Sequence, residues 1–450
     1  MSRGRLLALL ALGLLVRVAG LWQWGTYDTE VQKAWSFRAA SEGVGDIYGP
    51  SDEAIVQRAR AHGHSPWVHV PRTEFDWYGA SYFVDYPPGS VLVLWAAGKV
   101  WGLFDPDLPN RTGFNAAINL APLLGSLAIA WMLRASGSGE LGWRRALLFW
   151  LNPAILLAAP YLGYQDTIFG AFALAAVLAL MERRYAWASA LVVAAGLVKP
   201  QGALLLPTLV VVTLRESGVR TWLRCLLAGA VVAAVILMPW WSQGYLLSAL
   251  DGCRRPLTQT TLAPLGLNVW WIGGFEMTRA KLGGWPLAAI VSIDEFETWS
   301  GFDPRLVARG LLALSTLLNV TLLARAPRAD RRFIPLSVIL QVHAYALLAT
   351  SVHENHTFLA VMLVPLLVGV WPQALPALVS TSAFLFASLF FTAGLGRHVT
   401  RMRWVEAIKL STVLDMSVIA AALHVVLVVV LFAWVARTKP AEARVLESAR

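Results

Sequence analysis

With 57% hydrophobic and only 14% charged side chains over 450 residues, the chain lies well below the roughly 25% charge of a soluble domain. Its apolar residues run in blocks of about 20, long enough to cross a hydrocarbon core of about 30 Å, which excludes a string of soluble domains. A formal charge of +10 invites nucleic-acid binding. The basic residues, however, form short clusters at the ends of apolar blocks, where they act as topology signals, so no nucleic-acid partner is expected.

The first block, Leu6 to Trp22, follows Arg3 and Arg5 and has the look of a signal sequence. No small-residue cleavage site precedes Trp22-Gln-Trp24, and the block reads as an uncleaved first helix. Apolar spans follow near 115–133, 145–160, 166–181, 186–199, 202–214, 222–240, 306–324, 333–350, 357–371, 375–393 and 413–435, with the first at 5–22. A further piece, 89–104, is short and carries Lys99. Residues 23–88 and 241–305 mix Pro, Gly, Trp and charges and read as folded loops, the first containing short helices. Cys225 and Cys253 are expected on opposite sides of the membrane, which argues against a disulfide between them.

The positive-inside rule sets the sides. Arg3 and Arg5, the clusters around Arg144, Arg184, Arg220 and Arg328, and the tail with Arg437 and Lys439 belong inside. All are accommodated together only if 89–104 does not cross but lies at, or dips into, the outer face. The expected fold class is therefore all-α: a polytopic transmembrane bundle of about twelve crossings, one domain over residues 1–435, with 436–450 as a cytoplasmic tail. One outer loop, Arg397 to Lys409, is then basic, and an anionic ligand is one reason for that.

On this topology five polar motifs share the outer helix ends. Asp28 and Glu30, in Tyr27-Asp-Thr-Glu30, are either solvated loop acids or carboxylates fixed at the bilayer edge, where one acts as a general base. Asp85-Tyr-Pro-Pro-Gly89 is a structural turn opening a helix or a ligand contact; Phe83, Tyr86 and Trp95 either stack on a sugar face or pack. Gly163-Tyr-Gln-Asp166 is a very short turn in which Asp166 caps the next helix, or Gln165 and Asp166 together bind hydroxyl groups. Lys199, in Lys199-Pro-Gln201, snorkels, or meets a phosphate that offsets its burial. In His353-Glu-Asn-His356 the histidines stand at i and i+3, not the i and i+4 of zinc proteases, which favours phosphate contact over metal binding. Arg397, His398, Arg401 and Arg403 contact lipid headgroups or grip a phosphate.

In their order, these motifs resemble the membrane glycosyltransferases of the GT-C class, in particular the dolichyl-phosphate-glucose-dependent glucosyltransferases of N-glycan assembly and bacterial proteins like them. The matching pieces are Asp28, Glu30 and Trp35 after helix one, the Tyr86-Pro-Pro88 run, the Gly163 to Asp166 turn, Lys199-Pro-Gln201, and Val352-His-Glu354. The resemblance covers roughly residues 5 to 390, and the tail beyond about 395 matches nothing in it. It implies a polyprenyl-phosphate-linked sugar donor, a glycolipid or glycan acceptor, and inverting transfer on the extracytoplasmic face. Asp28 would be the base, with His353 and Glu354 near the donor phosphate; Glu30, Trp35, Asp85, Tyr86, Gln165, Asp166, Lys199, Gln201, His356 and Arg401 complete the expected donor and acceptor contacts. No metal or cofactor is expected, because a lipid phosphate is already an activated leaving group. Asp-x-Glu in place of the Asp-x-Asp of metal-using relatives keeps a divalent cation open. The alternatives are a transporter or flippase of a lipid-linked sugar, and a non-catalytic lipid-binding subunit. The compact, alanine- and arginine-rich chain suits a bacterial inner membrane.

Overall fold

The computed structural model describes residues 2–23, 25–45, 47–48, 53–64, 84, 86–254, 259–264, 266–282, 291–392 and 416–438. The structure is almost entirely helical, 78% helix, with no strand among the described residues, as the hydropathy pattern requires. The helices are α1 (Arg3–Gly20), α2 (Tyr27–Glu42), α3 (Glu53–Ala61), α4 (Pro88–Gly102), α5 (Thr112–Ala135), α6 (Gly139–Trp150), α7 (Pro153–Leu156), α8 (Asp166–Met181), α9 (Tyr185–Val198) and α10 (Leu206–Ser242). After them come α11 (Leu246–Arg254), α12 (Val269–Leu282), α13 (Ile293–Ser300), α14 (Pro304–Arg325), α15 (Phe333–Leu348), α16 (Phe358–Leu363), α17 (Ala374–Thr392) and α18 (Met416–Ala436).

Among the described residues four stretches are long and apolar enough to cross a membrane, Thr112–Ala135, Pro200–Ser242, Pro304–Arg325 and Ser417–Ala436, and they indicate a membrane protein. Other apolar helices are shorter: the 14 residues of α9 reach roughly 21 Å at 1.5 Å per residue. The 15 residues of α4 reach roughly 22 Å, less than the ~30 Å of a hydrocarbon core. The expected spans 202–214 and 222–240 are two helical segments of α10, separated at Gly218, whose φ of 74° breaks the helical path between them. The 23–88 stretch contains α2 and α3, and 241–305 contains α11, α12 and α13. Both cysteines are free.

The chain divides into two compact units, residues 1–209 with 217–259, and residues 210–216 with 260–450. In the first, α2 is buried along every residue from Gln32 to Ala40. Its core includes Trp35, Phe37, Leu94, Phe114, Ile118 and Trp240. Ser36 Oγ donates to the Leu94 carbonyl at 2.6 Å, tying α2 to α4. Helices α8 and α9 form a hairpin through a tight turn at Arg183, a non-glycine residue at φ 64°. Thr167 Oγ1, at the start of α8, donates to the Pro122 carbonyl inside α5 at 2.7 Å.

In the second unit, polar side chains join α14 to α15. Asn319 Nδ2 donates to the Ser337 carbonyl at 2.9 Å, and Gln341 Nε2 donates to Thr316 Oγ1 at 2.8 Å, the side-chain glue expected between membrane helices. Two basic clusters distant in sequence meet here. Arg215 donates to the carbonyls of Leu323 and Ala326 at the end of α14, where a cation also suits the helix dipole. Arg331 Nη1 meets both Glu216 oxygens at 2.8 Å.

Asn268 organises the start of α12: its Oδ1 accepts from the N–H groups of Trp270 and Trp271 at 3.0 Å, and its Nδ2 donates to the Ala349 carbonyl at 3.1 Å. Replacing Asn268 by Ala removes the cap and this tie together. The expected loss is about 1–2 kcal/mol, read as a lowered melting temperature in detergent micelles.

Candidate functional site

The site is built where α2, α8 and α9 meet in the first unit. Gly163 precedes α8 at φ 75°, and a Cβ there would run into Thr29 Oγ1 on α2, so only glycine lets this turn close on α2. The turn leaves Gln165 at the N-cap position of α8, with no side-chain cap bond, and Asp166, expected as a cap, as the first helical residue. At the end of α9 the chain becomes extended at Lys199 before the 3₁₀ turn of Pro200–Leu205. Lys199 Nζ then bonds Asp166 Oδ1, an ion pair whose members are 12% and 1% exposed. The same ammonium lies 5.6 Å from the centre of the Phe169 ring.

Asp28 lies within electrostatic reach of both members of that pair. It sits in the first turn of α2 and is half-buried. Burial pushes its carboxyl above the ordinary carboxylate range, with Lys199 pulling it down and Asp166 pushing it up. One turn along the same face of α2, Gln32 accepts a hydrogen bond from Gln165 Nε2 at 3.1 Å. Asp28, Gln165, Asp166 and Lys199 therefore come together. Gln201 is buried in the adjacent 3₁₀ turn.

Other expected residues have different surroundings. Glu30 is two residues from Asp28, hence on the opposite side of α2. It binds the buried Lys33 at 2.5 Å and accepts from Asn110 Nδ2 at 2.8 Å. Trp35 shares the Asp28 face two turns on, and its ring packs on Tyr86 at 5.3 Å between centroids. The Tyr86 carbonyl in turn accepts from Tyr48 Oη at 2.8 Å. Behind Tyr86, Ser90 Oγ donates to the Val198 carbonyl at 2.6 Å, seating the Tyr86-Pro-Pro run beside the Lys199 bend. Asp85, Arg397, His398, Arg401 and Arg403 lie outside the described residues.

The His353–His356 group belongs to the second unit. Ser351, at φ 59°, starts it in a conformation that side chains rarely adopt. It is held there by Ser351 N–H to Leu262 O at 3.0 Å and Ser351 Oγ to Thr261 O at 2.8 Å. The His353 N–H donates to His356 Nδ1 at 3.3 Å, which puts the proton of a neutral His356 on Nε2. The His356 ring stacks with Tyr345 at 5.6 Å, and Glu354 is buried with its Oε2 4.0 Å from His353 Nδ1. Among the described residues, no group of three or more His, Cys, Asp or Glu side chains could hold a metal ion.

Sequence reasoning passed over Gln32 and Lys33. The available signal was helical spacing: Gln32 stands at i+4 from Asp28, and Lys33 at i+3 from Glu30. No known protein-family model matches the chain, and no curated protein sequence is significantly similar to it.

The buried ion pair makes a separable prediction. Lys199→Met leaves Asp166 charged and buried, at an expected cost of about 3–5 kcal/mol. The double substitution Lys199→Met with Asp166→Leu removes both charges and is expected to recover most of it. Thermal unfolding of the two variants in micelles distinguishes them.

Proposed function

We propose that this protein is an inverting glycosyltransferase that moves a hexose from a polyprenyl-phosphate donor to a lipid-linked or cell-envelope acceptor. Catalysis would occur at the extracytoplasmic face of a bundle of about twelve crossings, in a bacterial inner membrane. The observation that carries this reading is a half-buried carboxylate, Asp28, held beside a Lys199–Asp166 pair and a pair of buried amides. The donor's tail lies in the bilayer with its sugar at the surface, so a base at a helix end is where such chemistry needs one.

In the proposed step Asp28 takes the proton from an acceptor hydroxyl. That oxygen bonds to the anomeric carbon from the side opposite the phosphate. The anomeric C–O bond to phosphate breaks, and the polyprenyl phosphate leaves with the electron pair. Lys199 and Asp166 set the charge around Asp28, while Gln165 orients the ring. Glu30, paired with Lys33, would fix the pitch of α2 instead of touching substrate.

A flippase or transporter is the second reading, and it draws on the same buried Lys199–Asp166 pair, since ionisable residues among apolar helices mark transport paths. The reaction separates the two. Asp28→Asn is expected to lower transfer from polyprenyl-phosphate sugars by about 10²–10⁴-fold with unchanged folding; unchanged transfer removes Asp28 as base.

The pH dependence has a definite sign. A base works deprotonated, and burial raises the Asp28 carboxyl, so transfer should fall as pH drops through a value above 3.8. Asp166→Asn removes a like charge and should move that acid limb downward, whereas Lys199→Met should move it upward. Rate profiles of the three proteins measure both shifts.

A further inference from the structure

Beside Asp28, several buried amides have hydrogen-bonding capacity that the described residues leave unused. Gln32 is 1% and Gln165 6% exposed. The single bond between them leaves Gln32 Nε2 and Gln165 Oε1 buried without a partner among the described residues. Turning both amides over leaves the same count, one donor group and one acceptor. Asn115 is fully buried, and neither its Nδ2 nor its Oδ1 meets a partner there. Asn119, one turn further along α5, donates to the Leu21 carbonyl at 3.2 Å but leaves Oδ1 unmatched.

These side chains share one region. Thr29 Oγ1 and Asn119 Oδ1 both flank Gly163, and Lys33 Nζ bonds Asn110 Oδ1 at 2.5 Å. As α2 rises from residue 29 to 33, its partners on the α5 side descend from 119 to 110. That antiparallel register places Asn115 between the levels of Thr29 and Lys33, and Gln32, within that interval, bonds Gln165 next to Asp166.

Buried polar groups are almost always matched, so unused capacity concentrated beside a raised carboxyl calls for a ligand of matching chemistry. The group carries donors and acceptors but no charge of its own. Phosphate offers only acceptors, and an ammonium ligand only donors. Neighbouring hydroxyls of a sugar ring donate and accept at once, as amides do.

We infer that Gln32, Asn115 and Gln165 form a hydroxyl-reading subsite beside Asp28, with a neutral ring polyol bearing adjacent hydroxyls as the ligand class. Gln32 and Asn115 are its specificity-determining residues. The inference rests on the glycosyltransferase reading for its biological meaning, but the binding can be measured without transfer.

The test uses the full-length protein in detergent, melted with and without methyl glucoside, methyl mannoside and methyl galactoside at high millimolar concentration. Wild type should be protected by at least one glycoside. Asn268→Ala should keep that protection, because its bonds lie in the second unit and none reaches these amides. Gln32→Leu and Asn115→Leu should lose it, with Asn115→Leu melting no lower than wild type because an unmatched buried amide has become apolar. Where transfer is measurable, each leucine variant should lower kcat/KM by about two- to tenfold, the effect of one hydrogen bond of ordinary strength. No protection of wild type by any glycoside, or equal protection of both leucine variants, overturns the inference. A lowered melting point for Asn115→Leu with protection retained does the same, since the amides are then matched internally. Protection that is lost in the variants while wild type transfers no sugar upholds the polyol subsite and removes the transferase reading alone.

Discussion

Lysine and aspartate are costly to bury singly, and their pairing is what allows α8 to start and α9 to end at the same place. Lys199 cannot leave Asp166 without stranding a charge, so the Gly163 turn and the Pro200–Leu205 turn are held as one piece. Thr29 and Gly163 then bring α2 onto that piece, which sets Asp28 within electrostatic reach of both charges. Gln32 follows because it is one helical turn from Asp28. The polar character of the region is therefore a consequence of a few helix ends forced together, not of any one motif.

Much of this was legible in the sequence, for identifiable reasons. The long apolar helices were visible because hydropathy integrates over many residues, so Thr112–Ala135 and Pro304–Arg325 coincide closely with expected spans. Asp28, Asp166 and Lys199 stood out as charges bordering apolar blocks. The division of α10 was visible too: Arg215 and Arg220 fall between the expected spans 202–214 and 222–240, and the helical path is interrupted there at Gly218. The internal order of α2, by contrast, was hidden. From Gln32 to Ala40 all of its sides are buried, so it lacks the alternation of polar and apolar faces that reveals a helix. The split between Asp28 on one side and Glu30 with Lys33 on the other depends on that unseen helical phase.

The second unit shows the same economy with different groups. Asn268 joins the start of α12 to the end of α15, and the segment holding Thr261 and Leu262 fixes Ser351 in its unusual conformation. The histidine motif that follows is thereby a rigid feature: the His353 amide orients His356, and Tyr345 covers its ring. Backbone strain maintained at the entrance to a polar motif is what pre-organised sites tend to carry.

The central claim is that a lipid-linked sugar lies against the Asp28 face of α2. The most direct measurement is an experimental structure of the Asp28→Asn protein in lipid nanodiscs with polyprenyl-phosphate-linked glucose, mannose and arabinose supplied in turn. The account predicts that at least one of these binds with its sugar ring within hydrogen-bond distance of residue 28, Gln32 and Gln165. Binding of all three elsewhere, or of none, would contradict it.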